Sequence, residues 1–265
     1  MRGLALTLAL IAQSATAHEL WIEPQSYQNS AETIVTADVV NGENFEGIRL
    51  SYIPTQFERF VAVNGGKFAN IQGRVGDRPA MQLQPLDDGL HVIAYLSKVS
   101  TIKYEEWQKF QNFVDHKDLG DALTEHRARG LDEEGFSEAY TRFSKSLVSV
   151  GSGDGADRRL GLETEIVALD NPYTDGLTEI RLELHYQRDL RADEQIEVFE
   201  KAPDGTVEVS LYRTDDNGVA TVPVKAGHAY MADAVVLREP SDDLAAATGA
   251  VWETLWANIT WAMPE

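Results

Sequence analysis

His18, His91 and His126 are the residues of this chain whose type and placement suit metal chemistry. His18 follows Ala15-Thr16-Ala17, the small-x-small pattern that a signal peptidase reads, so cleavage after Ala17 makes it the first residue of a mature protein. A histidine in that position offers two nitrogens to one ion, its α-amine and its ring Nδ1, which together close a chelate. Both nitrogens must give up their protons to bind a metal, so such a site is pH-dependent. These donors suit nickel, cobalt and zinc, with copper(II) favoured on raw affinity. Two ligands leave such a site incomplete. His91, which alternates with Leu90 and Val92 on an expected strand, and His126, in the charged helical stretch Glu125-His126-Arg127, are the expected further ligands. Glu19 and Glu23 are candidates to complete the coordination or to orient a ring. His116 reads as a favourable charge at a helix C-terminus, and His185 and His228 as strand residues outside the site.

The composition restricts where such a site operates. Arg2, the apolar run Leu4 to Ala12 and the Ala-x-Ala pattern make residues 1–17 a secretory signal, too short to span a bilayer, and predict a periplasmic protein. The chain holds no cysteine, which excludes disulfides and thiolate metal ligands. Its formal charge of −20 argues against nucleic acid and anionic membrane as partners while drawing cations to the surface. No later segment approaches the ~20 apolar residues of a membrane span, so no stable insertion of the mature chain is expected. A Gly-x-Ser-x-Gly elbow, a His-Glu-x-x-His helix and a phosphate-binding Gly-rich loop are all missing, and no catalytic residues or enzymatic activity are predicted.

The positioning elements are mainly β. Apolar, β-branched runs bounded by turn residues predict strands at 20–22, 31–40, 49–53, 57–63 and 91–96, and again at 163–169, 179–186, 195–200, 206–212, 219–224, 228–238 and 252–263. Between them, Trp107, Phe110 and Phe113 predict an amphipathic helix over 104–115, and a second helix is expected at 118–129. Phe136, Tyr140 and Phe143 predict a third over 135–145, with Glu138, Tyr140, Arg142 and Lys145 as a polar network on its turns. Asp215-Asp216-Asn217-Gly218 reads as a hairpin turn. The resulting architecture is two β-sandwich domains of immunoglobulin-like or transthyretin-like type: 18–170, with a helical insertion at about 104–145, and 171–265.

Several segments together resemble a known group: His18-Glu-Leu-Trp-Ile-Glu-Pro24, Glu138-Ala-Tyr-Thr-Arg-Phe-Ser-Lys-Ser-Leu147, Glu163 to Tyr173, Thr214 to Gly218 with Gly227-His-Ala-Tyr230, and Trp256-Ala-Asn-Ile-Thr260. They are similar to a periplasmic family of unassigned function described as the periplasmic component of cobalt or nickel uptake systems. The resemblance implies a secreted β protein that binds nickel or cobalt, and accommodates copper, and hands the ion to a membrane metal-uptake transporter. Of the candidate ligands, only His18 is carried by it.

Two other classes of function fit the same residues. A copper-dependent oxidase or oxygenase built on an N-terminal histidine clamp would need an open coordination position beside a substrate surface. A structural or adhesive β-sandwich would instead offer Trp252, Trp256 and Trp261 to a protein or glycan, although tryptophans in a terminal strand more often fill a core.

Overall fold

A computed structural model describes residues 18–265; the expected signal segment, 1–17, lies outside the described residues. In chain order the first strands are β1 (Glu19–Pro24), β2 (Gln28–Asn29), β3 (Val35–Glu43), β4 (Glu46–Leu50), β5 (Phe57–Asn64), β6 (Lys67–Asn70), β7 (Met81–Leu83), β8 (Gly89–Ser97) and β9 (Ser100–Tyr104). Two helices follow, α1 (Trp107–His116) and α2 (Ala122–Ala128), and then β10 (Phe136–Val150) and β11 (Thr164–Ala168). The remainder is β12 (Glu179–Tyr186), β13 (Asp189–Leu190), β14 (Gln195–Lys201), β15 (Val207–Arg213), β16 (Val219–Pro223), β17 (Ala229–Arg238), α3 (Asp242–Thr248) and β18 (Ala250–Ala262). The protein is thus mainly β, as its strand and turn signals predict, with sheets packed face to face.

Ten of the strands form one sheet in the order β15-β14-β17-β18-β10-β8-β5-β6, with β2 and β9 also paired to β10. β10 is its spine. It runs parallel to β18 from Ser137 to Ser146, and on its other edge antiparallel first to β9 and then to β8. This is where the sequence reading needs its main correction, because residues 135–145 form a strand and the helical insertion stops at α2. Phe136, Tyr140 and Phe143 happen to carry helical spacing. A strand buried on both faces shows no polar alternation to contradict it, and β10 is buried at nearly every position.

The expected domain boundary at 170 also fails to divide the hydrogen-bonded network. The main sheet draws β5, β6, β8 and β10 from one side of that residue and β14, β15, β17 and β18 from the other. One apolar cluster joins Leu90 and Leu147 to Leu182, Val198 and Ile259 across the same point. A small sheet of β11, β12, β13 and β16 packs on that cluster.

A second small sheet, β1-β3-β4 with β7 on β3, is wedged against the main sheet on both of its own faces. Leu20 and Ile22 pack with Ile93 and Val148, whereas Trp21 turns the other way to Phe45, Phe199 and Met231. Three consecutive large apolar residues are therefore buried, and the start of the chain's described part is held by packing.

Candidate functional site

The register of the main sheet lines up four polar residues across four adjacent strands. Ser144 on β10 pairs with Asn258 on β18, Asn258 with Asp233 on β17, and Asp233 with Glu197 on β14. Directly paired residues share a face, so the row is continuous, and all four are buried. Above it runs β1, whose backbone pairs on one edge with β3 alone. Its other edge presents every second carbonyl unpaired, and Ser144 and Asn258 of the row, with Thr260 two residues further along β18, supply the donors. Ser144 Oγ and Asn258 Nδ2 both donate to the Leu20 carbonyl at 2.5 Å, and Thr260 Oγ1 donates to that of Ile22 at 2.8 Å. This side-chain clamp delivers Glu19 to the acidic end of the row.

The cation arrives from α1. Phe110, Phe113 and Val114 are the buried stripe of that helix, and Phe113 stacks on Trp256 with ring centres 5.5 Å apart. The C-terminal turn is thereby laid over Glu197 and Asp233. Lys117, which caps the helix, points its ammonium between three carboxylates, with Nζ donating to Glu197 at 2.5 Å, Asp233 at 3.0 Å and Glu19 at 3.2 Å. An ammonium has three protons, and here each finds one carboxylate. Beside it, His116 Nε2 lies 2.8 Å from the other oxygen of Glu197, with its ring about half exposed. The buried Arg142 guanidinium lies 3.9 Å over the Trp256 ring.

Burial and charge set the protonation of this cluster. Burial pushes the Glu19 carboxyl up to about 7 even with Lys117 drawing it down, and burial raises Asp233 as well. Glu197 is also buried, yet the hydrogen bonds from His116 and Lys117 outweigh that and hold it below its ordinary value. The bond to Glu197 raises His116. Lys117 stays fully charged because three surrounding carboxylates overcome its desolvation. Glu19 Oε2, Asp233 Oδ1 and Asn258 Oδ1 are buried without a protein partner, as are Nε and Nη1 of Arg142. Glu19, Glu197 and Asp233 are also the group, among the described residues, whose carboxylate oxygens lie close enough to one another to surround a cation.

The three histidines singled out in the sequence are not brought together, and β10 serves as a ruler for how far apart they lie. His126 packs on Phe136 at one end of that strand, with ring centres 4.6 Å apart. His91 stands opposite Val148 near the other end. At about 3.3 Å per residue, positions 136 and 148 are roughly 40 Å apart. Both rings are also spent. His91 Nε2 accepts from the Leu86 amide at 3.0 Å and its Nδ1 meets the Gly89 carbonyl at 3.1 Å. His126 Nδ1 accepts from Trp252 Nε1 at 3.0 Å, which leaves Nε2 to donate to the Asp132 carbonyl at 2.9 Å. They are core histidines with both nitrogens satisfied, so neither completes coordination at His18. His18 itself is exposed and directly precedes Glu19. The expected helical network likewise separates: Arg142 faces the acidic row, whereas Lys145, one strand face away, is bound by Asp157 and Glu165 in a closed buried cluster of its own.

Glu197, Asp233, Lys117 and Asn258 were not singled out by the sequence reading. Their signal was present, since Ile196-Glu197-Val198, Ala232-Asp233-Ala234 and Ala257-Asn258-Ile259 each set one polar residue inside an apolar strand run. Only the register shows that the three stand side by side.

A family profile described as a domain of unknown function, DUF4198, matches residues 15–238. No curated protein matches the chain. A crystal structure of a tetra-tandem repeat from the extending region of a large adhesion protein aligns at 10% identity with a TM-score of 0.21, over 92% of this chain and 49% of that one. The chain thus spans about half the length of that fragment.

Proposed function

We propose that this chain, which belongs to the DUF4198 family, is a periplasmic carrier that binds a transition-metal ion, nickel or cobalt with copper as an alternative, at its processed N-terminus and passes it to a membrane transporter. The observation that carries the reading is the anchoring of β1. The clamp on the Leu20 and Ile22 carbonyls and the bond from Lys117 to Glu19 fix the backbone next to His18, so an amine and an imidazole at that position are presented at a defined place. A preorganised chelate loses less freedom on binding than a frayed end does. The acidic surface favours capture of a cation. A site with few protein ligands, at least one of them protonatable near neutrality, suits release to a partner better than permanent storage. On this reading the ion is cargo, and the protein performs no turnover.

Titration calorimetry with nickel tests the reading on three forms: protein beginning at His18, the same protein with His18→Ala, and a form carrying one extra N-terminal residue. Tight binding by the first form alone is expected. Equal affinity in all three rejects the N-terminal site.

A further inference from the structure

β10 sets Lys145 inside the core, between Phe143 and Leu147 on one strand face. Its ammonium reaches two carboxylates, Asp157 and Glu165, and the side chains of Lys145, Asp157 and Glu165 are 1%, 1% and 0% exposed. Nζ lies 2.8 Å from Asp157 Oδ1 and 2.9 Å from Oδ2. Astride both oxygens of one carboxylate, it stands about 3 Å from the carboxyl carbon Cγ, the separation of an amine and an acid placed to react.

The surroundings favour condensation of this pair over a lasting ion pair. The backbone N–H groups of Arg158 and Ala168 donate to Asp157 Oδ1 and Oδ2 at 2.7 and 2.9 Å, so each oxygen of a tetrahedral intermediate at Cγ already has a donor. Glu165 Oε1 lies 3.2 Å from Nζ, and the amides of Leu160 and Leu162 hold its carboxylate in place. The apolar clusters that contain Phe143 and Leu147 keep water from the site. Burial raises the Asp157 carboxyl toward its neutral, electrophilic form. As ions, Lys145, Asp157 and Glu165 place three desolvated charges in the core; condensation leaves only that of Glu165, with its backbone donors intact. The other buried lysine, Lys117, is instead shared among three acids, and Asp233 there leaves one oxygen without a partner.

We propose that Lys145 and Asp157 join through an isopeptide bond, in a reaction catalysed within the chain by Glu165. One ammonium proton moves along its hydrogen bond to Asp157, which gives a neutral amine and a carboxylic acid. The Nζ lone pair then attacks Cγ and forms the Nζ–Cγ bond. Glu165 takes a second proton from Nζ and hands it to the departing hydroxyl, so that one Cγ–O bond breaks, water leaves and Glu165 is regenerated. No oxidant or co-reactant enters. The product ties the segment before β11 to the spine of the main sheet, which in a chain without cysteine gives the bracing that a disulfide gives elsewhere.

Mass spectrometry of a tryptic digest, made after the purified folded protein is denatured, tests this. An acylated lysine resists trypsin, and Lys145 is the one cleavage site within residues 143–158. The bond therefore yields a single peptide 143–158 that lacks the mass of one water, with fragmentation placing the link between Lys145 and Asp157. Separate peptides 143–145 and 146–158 at full mass overturn the proposal. So does a water loss confined to 146–158, which marks a cyclic imide at Asp154-Gly155. Asp157→Ala should restore cleavage after Lys145. Glu165→Gln, shown to be folded by circular dichroism, should carry the bond in no more than about a tenth of freshly purified molecules. Full bonding in that variant overturns the role of Glu165. The wild-type digest decides the bond itself whether or not the variants fold.

Discussion

Glu197 and Asp233 stand directly opposite one another on neighbouring strands, and a single ammonium, that of Lys117, bonds to both while reaching a third carboxylate, Glu19, on another sheet. Three acids this close, each less than a tenth exposed, are tolerable only with the cation between them.

Replacing Lys117 with Met should therefore cost about 3–5 kcal/mol of stability, because it strands buried carboxylates without a counterion. Equilibrium urea denaturation at neutral pH measures this. Adding Asp233→Asn and Glu197→Gln to the Met variant should recover part of the loss, since only the Glu19 carboxyl then remains and burial favours its protonated form. A loss no larger than that of an exposed lysine would show that the tripod carries no weight.

Stability should fall as pH rises from about 5 to about 8. Burial pushes Glu138 to about 7 from its ordinary 4.5, with bonds from Thr254 and Tyr104 drawing it down less, and Glu19 is raised to a similar value. Both therefore bind protons more tightly when folded. Their contribution is fully present below 4.5 and is lost as pH passes through 7. His116, also raised, acts in the same sense above its ordinary 6.5, whereas Glu197, held low, adds an opposite slope only at more acidic pH. A tenfold change in proton affinity on folding is worth about 1.4 kcal/mol, so the two carboxyls together account for a loss on the order of 5 kcal/mol across that range. Melting temperatures across that range check it, and Glu138→Gln should flatten the curve.

Asn258→Ala removes one of two donors to the Leu20 carbonyl and should cost about 1–3 kcal/mol. The more diagnostic readout is amide hydrogen exchange. Protection should drop selectively in Glu19 to Pro24 while the β10 and β18 amides stay protected, because the clamp is made of side chains and the sheet ladder is untouched. Nickel affinity should weaken in parallel.

His126→Ala should unsettle the aromatic cluster without touching metal binding. The ring packs among Trp107, Phe110, Phe136 and Trp252, and its loss leaves the Trp252 indole proton without an acceptor. A destabilisation of about 2–4 kcal/mol is expected, with nickel affinity per folded molecule unchanged. Calorimetry on the purified variant separates the two effects.

Nickel at a hundredfold excess over its dissociation constant should raise stability by about 2.7 kcal/mol, and a chelator should reverse it. His18→Ala should abolish the response. A nickel-induced rise in melting temperature that survives His18→Ala would place the ion elsewhere.

Strands with one solvated face or a sharp turn were legible in the sequence. Glu179 to Leu184 alternates because β12 buries every second residue there, and Asp215 to Gly218 is a turn of local chemistry, although it links β15 and β16 in two different sheets and closes no hairpin between them. What failed was non-local. Ser137 to Ser146 takes strand form because β18, more than a hundred residues later, lies alongside it, and no window around Tyr140 contains that partner. The site shares this origin. Glu19, Lys117, Glu197 and Asp233 come from four elements, and their meeting depends on strand register and on Phe113 seating against Trp256. His116 was read from its helix alone, where a terminal charge explains it, whereas its meaning lies in a carboxylate 81 residues away.

β18 lies between β17 and β10 in the middle of the ten-stranded sheet, although it is composed of residues 250–262. Until that segment is available, β10 has no neighbour along most of one edge and the β15-β14-β17 block has nothing to dock on. Assembly of the core therefore depends on distant contacts and cannot be completed before residues 250–262 are present. Trimming even a few residues from within 250–262 would leave two loose half-sheets in place of a slightly smaller protein.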